Sequence, residues 1–190
     1  VTRRSQSVSY DDTLEGPIAG IGLASQTLVV LGQVVIIDAA TSFDDEISPR
    51  DLSGLEVDDV IEVSGLIDAT GAIRATRIDF SDDTNDFEVR GVVESLNSGD
   101  STFIINGLTV DYLDLQPLTL ANGAFVEVEG NTFDAGTLIA TKVELEDDDI
   151  SGVDEGEVEG YITTFGSATN FSVSGVPVTT NGQTTYEDGV

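Results

Sequence analysis

Residues 60–80 read VIEVSGLIDATGAIRATRIDF, and residues 125–145 read FVEVEGNTFDAGTLIATKVEL. The two stretches align without a gap. Glu62/Glu127, Val63/Val128, Gly65/Gly130, Gly71/Gly136, Ala75/Ala140 and Thr76/Thr141 are identical. The closing positions swap conservatively, as in Arg77/Lys142, Ile78/Val143 and Asp79/Glu144. An internal repeat of this kind sets the architecture before any other signal. In both copies apolar and polar residues alternate, as Ile61 and Val63 do against Glu62 and Ser64, which marks strands with one buried face. The alternation changes parity between Ile73 and Ile78, and again between Leu138 and Val143. A β-bulge in the last strand accounts for that shift.

Each pair of strands closes a longer unit. Upstream of the first pair, Gly16 opens a strand, Thr27–Leu31 and Gln33–Asp38 form two more, and Gly32 marks the hairpin between the latter two. Gly91 and Gly107 are spaced as Gly16 and Gly32 are, around strands at Glu88–Leu96, Thr102–Asn106 and Leu108–Tyr112. Between the third and fourth strands of the first unit, Ser48 followed by Pro49 predicts a short helix or turn over Ser48–Leu52. A third opening begins at Glu157, with Gly160 and Gly175 in the equivalent places and strands at Phe171–Ser174 and Val176–Thr179. The sequence given holds no third copy of the closing pair.

The expected fold is therefore all-β, a tandem of small OB-like five-stranded β-barrel or β-sandwich repeats with the third incomplete. The expected division is residues 1–12 as an N-terminal strand, 13–83 as repeat one, 84–149 as repeat two and 150–190 as a partial repeat three. In the N-terminal strand Val8 and Tyr10 fall on the positions of Ile78 and Phe80. It reads as the last strand of a barrel, available to complete the third repeat of a neighbouring subunit.

Charge narrows the choice of partners. The chain has 36 acidic residues against 7 basic ones, a net charge of −29. Such a surface repels nucleic acid and anionic lipid, and it favours divalent cations or basic partners. There is no Cys, His or Met-based chemistry to consider, since all three residues are absent. Thiol, zinc-thiolate and Ser-His-Asp mechanisms are excluded with them. With so many carboxylates some pair always meets a glycosidase spacing, so the acids do not point to an enzyme. No apolar run reaches a membrane-span length of about 18 residues. Val1 is not an initiator methionine and no signal segment is present, so the chain reads as processed or excised.

Acidic clusters recur where units meet. Asp82, Asp83 and Asp86 lie after repeat one, and Asp147, Asp148 and Asp149 after repeat two. Asp44 and Asp45 follow the third strand of repeat one. Calcium takes six to eight oxygens in irregular loops, so these eight aspartates are the expected Ca²⁺ ligands.

The glycine-flanked hairpin, the V-E-V-x-G strand and the A-T-[RK]-[IV]-[DE] strand resemble the bacterial tandem repeats called domain of unknown function 5666. The resemblance runs from Leu14 to Val190. It implies secreted or envelope-associated barrels and carries over no catalytic residue. Together these features predict a secreted, non-enzymatic structural subunit that joins copies head to tail by strand complementation. A secreted or envelope-associated glycan- or ligand-binding module is the alternative.

Overall fold

The computed structural model describes residues 9–68, 70–82, 84–115, 119–146 and 160–185. Unit one contains β1 (Ser9–Gly22), β2 (Thr27–Val30), β3 (Gln33–Ile36), the two-residue β4 (Ser42–Phe43), β5 (Val60–Ile67) and β6 (Ile73–Phe80). β1, β2 and β3 form an antiparallel meander, β3 pairs in parallel with β6, β6 pairs with β5, and β5 returns to β1. The ring is closed, so these five strands form the barrel expected from the alternation. Its interior holds Leu14, Ile18, Leu28, Val30, Val35, Ile61, Val63 and Ile78, each with no exposed surface. Burying a branched aliphatic side chain of this size stabilises the fold by about 1.5–3 kcal/mol.

Unit two repeats the arrangement with β7 (Phe87–Val92), β8 (Glu94–Asn97), β9 (Thr102–Ile105), β10 (Leu108–Asp111), β11 (Phe125–Asp134) and β12 (Thr137–Glu146). The single strand expected over Glu88–Leu96 is broken into β7 and β8. Only Val93 separates them, and Ser95 has a φ of +49°, outside the strand region. The break lets β7 pair with β11 while β8 turns to pair with β9. β9–β10, β10–β12 and β12–β11 complete the same ring. Phe103 and Tyr112 pack in its core with ring centroids 5.7 Å apart.

The parity shift has the cause expected of it. Ser64 pairs with Arg77 and Gly65 with Ala75, which leaves Thr76 as the extra residue of a bulge. Glu129 pairs with Lys142 and Gly130 with Ala140, which leaves Thr141 in the same place. The hydroxyl of Thr76 donates to the Ser64 carbonyl at 3.2 Å, and that of Thr141 to the Glu129 carbonyl at 3.3 Å. A threonine can thus satisfy a carbonyl that the bulge would otherwise leave without a ladder partner.

The short helix or turn expected over Ser48–Leu52 lies slightly later, and its cap is Asp51 in place of Ser48. A single 3-10 turn spans Leu52–Gly54, and Asp51 caps it. The Asp51 carboxylate accepts from the Ser53 amide at 2.7 Å and from its hydroxyl at 2.6 Å, which satisfies a first-turn amide. The boundary expected after residue 12 also moves, because β1 begins at Ser9 and runs through it. Ser9 and Tyr10 stand opposite Leu66 and Gly65 of their own barrel.

The two barrels share one sheet through β1 and β7. Leu14 and Val89 each lie two residues before their unit's first glycine, and they pair with each other in antiparallel register. Equivalent residues that pair antiparallel lie about a local two-fold axis. A contact of that type is self-complementary and closes on itself. It is reinforced by the hairpins: the Gln33 side chain donates to the Ile105 carbonyl at 3.1 Å, and Asn106 donates to the Gln33 side-chain oxygen at 3.1 Å.

Unit three is a separate antiparallel meander of β13 (Ile162–Ser167), β14 (Asn170–Val173) and β15 (Val176–Thr179). Its hairpin turn rests on β6 of barrel one. The Ser174 hydroxyl donates to the Thr76 carbonyl at 3.0 Å, and Arg74 donates to the Ser174 carbonyl at 3.4 Å.

Candidate functional site

Two surfaces stand out, one charged and one bare. The charged one is a cleft of about 410 Å³ on barrel one, lined by Asp44, Glu46, Glu62, Ser64, Arg77, Asp79, Phe80 and Asp82. Its centre is Arg77 on β6. The short β4 runs parallel to β6, and the Asp44 amide donates to the Ile78 carbonyl at 2.9 Å. That pairing brings Asp44 to Arg77, 3.1 Å away, while Asp79 bonds the same guanidinium from two residues along the strand. Glu62 lies opposite Asp79 on β5.

The carboxyls are not equivalent. Burial pushes Asp79 up from the usual carboxylate range, and the neighbouring Asp44 adds to the effect against the opposing pull of Arg77. Asp44 moves the other way, held down first by the Glu46 amide and then by a hydrogen bond with Asp79 and the charge of Arg77. The pair therefore holds a proton on Asp79 more readily than on Asp44. Five carboxylates and one guanidinium line the cleft, which therefore suits a cationic or hydroxyl-rich ligand.

The same place on barrel two is filled by cations. Lys142, the counterpart of Arg77, reaches Glu127 at 3.3 Å, Glu129 at 2.5 Å and Glu144 at 3.0 Å. Arg90 on β7 adds contacts to Glu127 at 2.6 Å and to Glu88 at 3.1 Å. Burial raises the pKa of Glu127, but Arg90 and then Lys142 more than offset it, and the net shift is downward. The counterpart of Arg90 in barrel one is Glu15, which accepts from Ser81. Glu15 stands opposite Glu62 as Arg90 stands opposite Glu127, so barrel one has an acid where barrel two has a cation.

The expected Ca²⁺ ligands divide. Asp44 and Asp82 both line the cleft. Asp45 lies in the turn after β4, closed by the Ile47 amide on the Asp44 carbonyl, and pairs instead with Arg50 at 2.5 Å. Asp86 is exposed and lies apart from the cleft residues. Asp83, Asp147, Asp148 and Asp149 lie outside the described residues. Among the described residues no three acidic side chains converge as a metal-ligand set. Of the expected assembly residues, Tyr10 stands in β1 opposite Gly65, and Val8 lies outside the described residues.

The bare surface is one face of unit three. Its strands keep the register of unit one. Ile162 pairs with Val173 as Ile18 pairs with Val30, Phe165 pairs with Phe171 as Ile21 pairs with Leu28, and an irregularity follows Ile162 as one follows Ile18. In barrel one, Ile18, Leu28, Val30 and Val35 are fully buried. In unit three, Ile162 is 58% exposed and Phe165 66%, and Phe171, Val173, Val176 and Val178 are half-buried. Residues with core identity and core register stand without a core among the described residues. Gly160–Thr185 also contains no charged residue, in a chain of net charge −29.

The model of the family described as domain of unknown function (DUF5666) matches residues 15–79, 90–144 and 159–190. The chain belongs to this family. Each DUF5666 segment starts one residue before a first-strand glycine, Gly16, Gly91 or Gly160. The first two span a whole ring of strands, and the described part of the third spans only the meander. Comparison with curated proteins finds no match. Comparison with solved structures finds none either.

Sequence reasoning overlooked Arg77, Asp79 and Glu62 as a group, although the Arg77/Lys142 exchange at aligned positions flagged a cation common to both units. It also passed over Ile162 and Phe165, whose apolar identity at core positions was visible once the glycines were aligned.

Proposed function

We propose that this chain is a structural subunit of an extracellular assembly, in which copies join head to tail by β-strand complementation and the acidic surface takes Ca²⁺. One observation carries this reading: the uncharged, apolar face of unit three, which has the register of a barrel interior and nothing over it among the described residues. Proteins rarely leave a flat apolar sheet open to water, because such sheets recruit further strands. The two-fold contact between barrels one and two supports the same conclusion by elimination. It is self-complementary and already occupied within the chain, so growth requires a different surface. A heterologous contact through unit three meets that requirement. Ca²⁺ would lower the repulsion between neighbouring acidic subunits. The reading assigns the chain no catalysis. Negative-stain imaging of the purified chain, with and without Ca²⁺, tests it. Fibres or regular strings of subunits are expected, and isolated particles of single-chain size at every concentration would reject the reading.

The cleft on barrel one favours a second reading, a secreted glycan- or ligand-binding module. Its carboxylates can accept hydrogen bonds from sugar hydroxyls, and Phe80 provides an apolar wall. Saturable binding of an oligosaccharide that is lost on Glu62→Ala would favour this reading, and its absence across a broad glycan panel would remove it.

A further inference from the structure

Barrel two shows what can stand beside the acid that lines the cleft of barrel one. Glu62 and Glu127 are counterparts in the same register, Glu62 opposite Asp79 and Glu127 opposite Glu144. On their other side runs the first strand of each unit, which puts Glu15 opposite Glu62 and Arg90 opposite Glu127. In barrel two the Arg90 guanidinium grips that acid. Its Nε donates to Glu127 Oε2 at 3.1 Å and its Nη2 to the same oxygen at 2.6 Å. The Arg90 side chain is sunk into the surface, only 15% exposed. Barrel one keeps the acid and has a carboxylate at the guanidinium's place. Glu15 also stands opposite Glu88 of the second barrel. Asp79, Glu62, Glu15 and Glu88 therefore follow one another on four adjacent strands, and like charges directly opposite one another oppose folding.

We propose that the cleft of barrel one binds a guanidinium cation, held by Glu62 as Arg90 is held by Glu127, with Phe80 against its face. This deepens the ligand-binding reading of the cleft by naming the class of ligand, and it rests on that reading for the cleft being open to one. Charge fits the occupant. Five carboxylates line the cleft with one guanidinium, whereas in barrel two four carboxylates hold two cations. A bound guanidinium restores the second cation. The net charge of −29 draws such an ion to the surface.

The shape of the cleft favours guanidinium over other cations. Phe80 lines it at the position that Leu145 holds in barrel two. An aromatic face attracts a planar cation, and an aliphatic side chain does not. A metal ion fits this cleft less well, since among the described residues no three acidic side chains converge as ligands. A guanidinium spreads five donors over a plane and can engage carboxylates that do not converge. The same chemistry comes from two sources, a free small cation and an arginine side chain offered by a partner polypeptide.

The test titrates the intact chain with N-acetyl-arginine amide and follows the backbone amide signals of Glu62, Asp79 and Phe80 by NMR. The neutral isostere N-acetyl-citrulline amide is the comparison. Saturable shifts are expected, with the arginine compound bound at least about tenfold tighter, the least that a hydrogen bond between charged groups contributes. Glu15→Arg builds the arrangement of barrel two into barrel one and should weaken the arginine compound by at least about tenfold. Glu62→Gln, which keeps the size of the side chain, should do the same. Unchanged signals from barrel two show that each variant is folded. Glu94→Arg makes the same change of charge on the exposed face of β8, and at physiological salt it should leave the affinity within about twofold. Methylguanidine separates the sources. Binding as tight as that of the arginine compound assigns the site to a free cation, and weaker binding assigns it to an arginine side chain. Equal binding of the arginine and citrulline compounds overturns the proposal. So does equal weakening by Glu15→Arg and Glu94→Arg, because net charge alone then accounts for the affinity. An oligosaccharide that binds the cleft where the arginine compound does not overturns the proposal and leaves the ligand-binding reading standing. A chain that binds neither refutes both.

Discussion

Gly65 and Gly130 occupy equivalent points of the two barrels where the paired strand's backbone comes close, and an added methyl group there has a calculable consequence. A Cβ on Gly65 would lie 2.7 Å from the Arg74 carbonyl oxygen, 2.8 Å from Ile73 Cγ2 and 3.2 Å from Ala75 Cα. On Gly130 it would lie 2.5 Å from the Ile139 carbonyl oxygen and 2.7 Å from Leu138 Cδ1. The nearest atom in each case is backbone of the paired strand, so relief requires widening the strand pair at the bulge. Neither residue has a positive φ, so the cost comes from packing and not from backbone conformation. Overpacking of this kind costs about 1–3 kcal/mol. Gly65→Ala and Gly130→Ala should each lower stability by about 2 kcal/mol, and the valine variants by more. In urea, with a slope of roughly 1.5 kcal/mol/M, that loss moves the midpoint down by about 1.3 M at unchanged slope. Gly20→Ala is the control, since a Cβ there meets nothing within 4 Å. It should stay within about 0.5 kcal/mol of the parent. Equal midpoints for Gly65→Ala, Gly130→Ala and the parent would refute the reasoning, as would a Gly20→Ala loss of the same size.

The charged faces give four further expectations. Glu127→Ala should cost about 2–3 kcal/mol in urea unfolding, because it removes a buried acid that serves both Arg90 and Lys142 while Glu88 still holds Arg90. For Asp79 the folded pKa is raised, so its ionisation opposes folding at neutral pH and the opposition disappears as pH falls through that pKa. Asp79→Asn should therefore stabilise the chain at pH 7, and the two melting curves should converge in acid; a destabilised variant at pH 7 would show that the bond to Arg77 outweighs the burial. Asp38 and Glu127 have lowered pKa values, so their contributions are present above the ordinary carboxylate pKa and are lost as pH falls through the folded values. Millimolar Ca²⁺ should raise the melting temperature beyond Mg²⁺ or NaCl of equal ionic strength, whereas equal effects would reduce the ion to charge screening.

Much of the fold was legible because its determinants are local. Alternation located β5 and β6 at the residues expected, and the parity shift located the bulge, since Thr76 and Thr141 interrupt a period-two pattern. The paired glycines located the hairpins. The β1–β7 pairing was not legible, because two strand edges from different units meet there and edge pairing leaves no period in either sequence. The break at Val93 depends on which neighbour each half of the strand pairs with, which is also non-local. The cleft was legible only in part. The metal reading followed runs of aspartate along the chain, but the chain turns at Asp45, so neighbours in sequence part company there. Asp44 turns to Arg77 and Asp45 to Arg50, while Asp44 and Asp79, far apart in sequence, meet because β4 lies beside β6.

The size of the chain in solution as a function of concentration tests the assembly claim most directly. Light scattering of the purified chain in Ca²⁺ buffer should show a mass that rises with concentration well beyond 20.0 kDa. Ile162→Asp, which places a charge on the apolar face without disturbing a buried site, should remain at the single-chain mass under the same conditions. A parent that stays at the single-chain mass throughout, or an Ile162→Asp variant that grows as the parent does, would contradict the account.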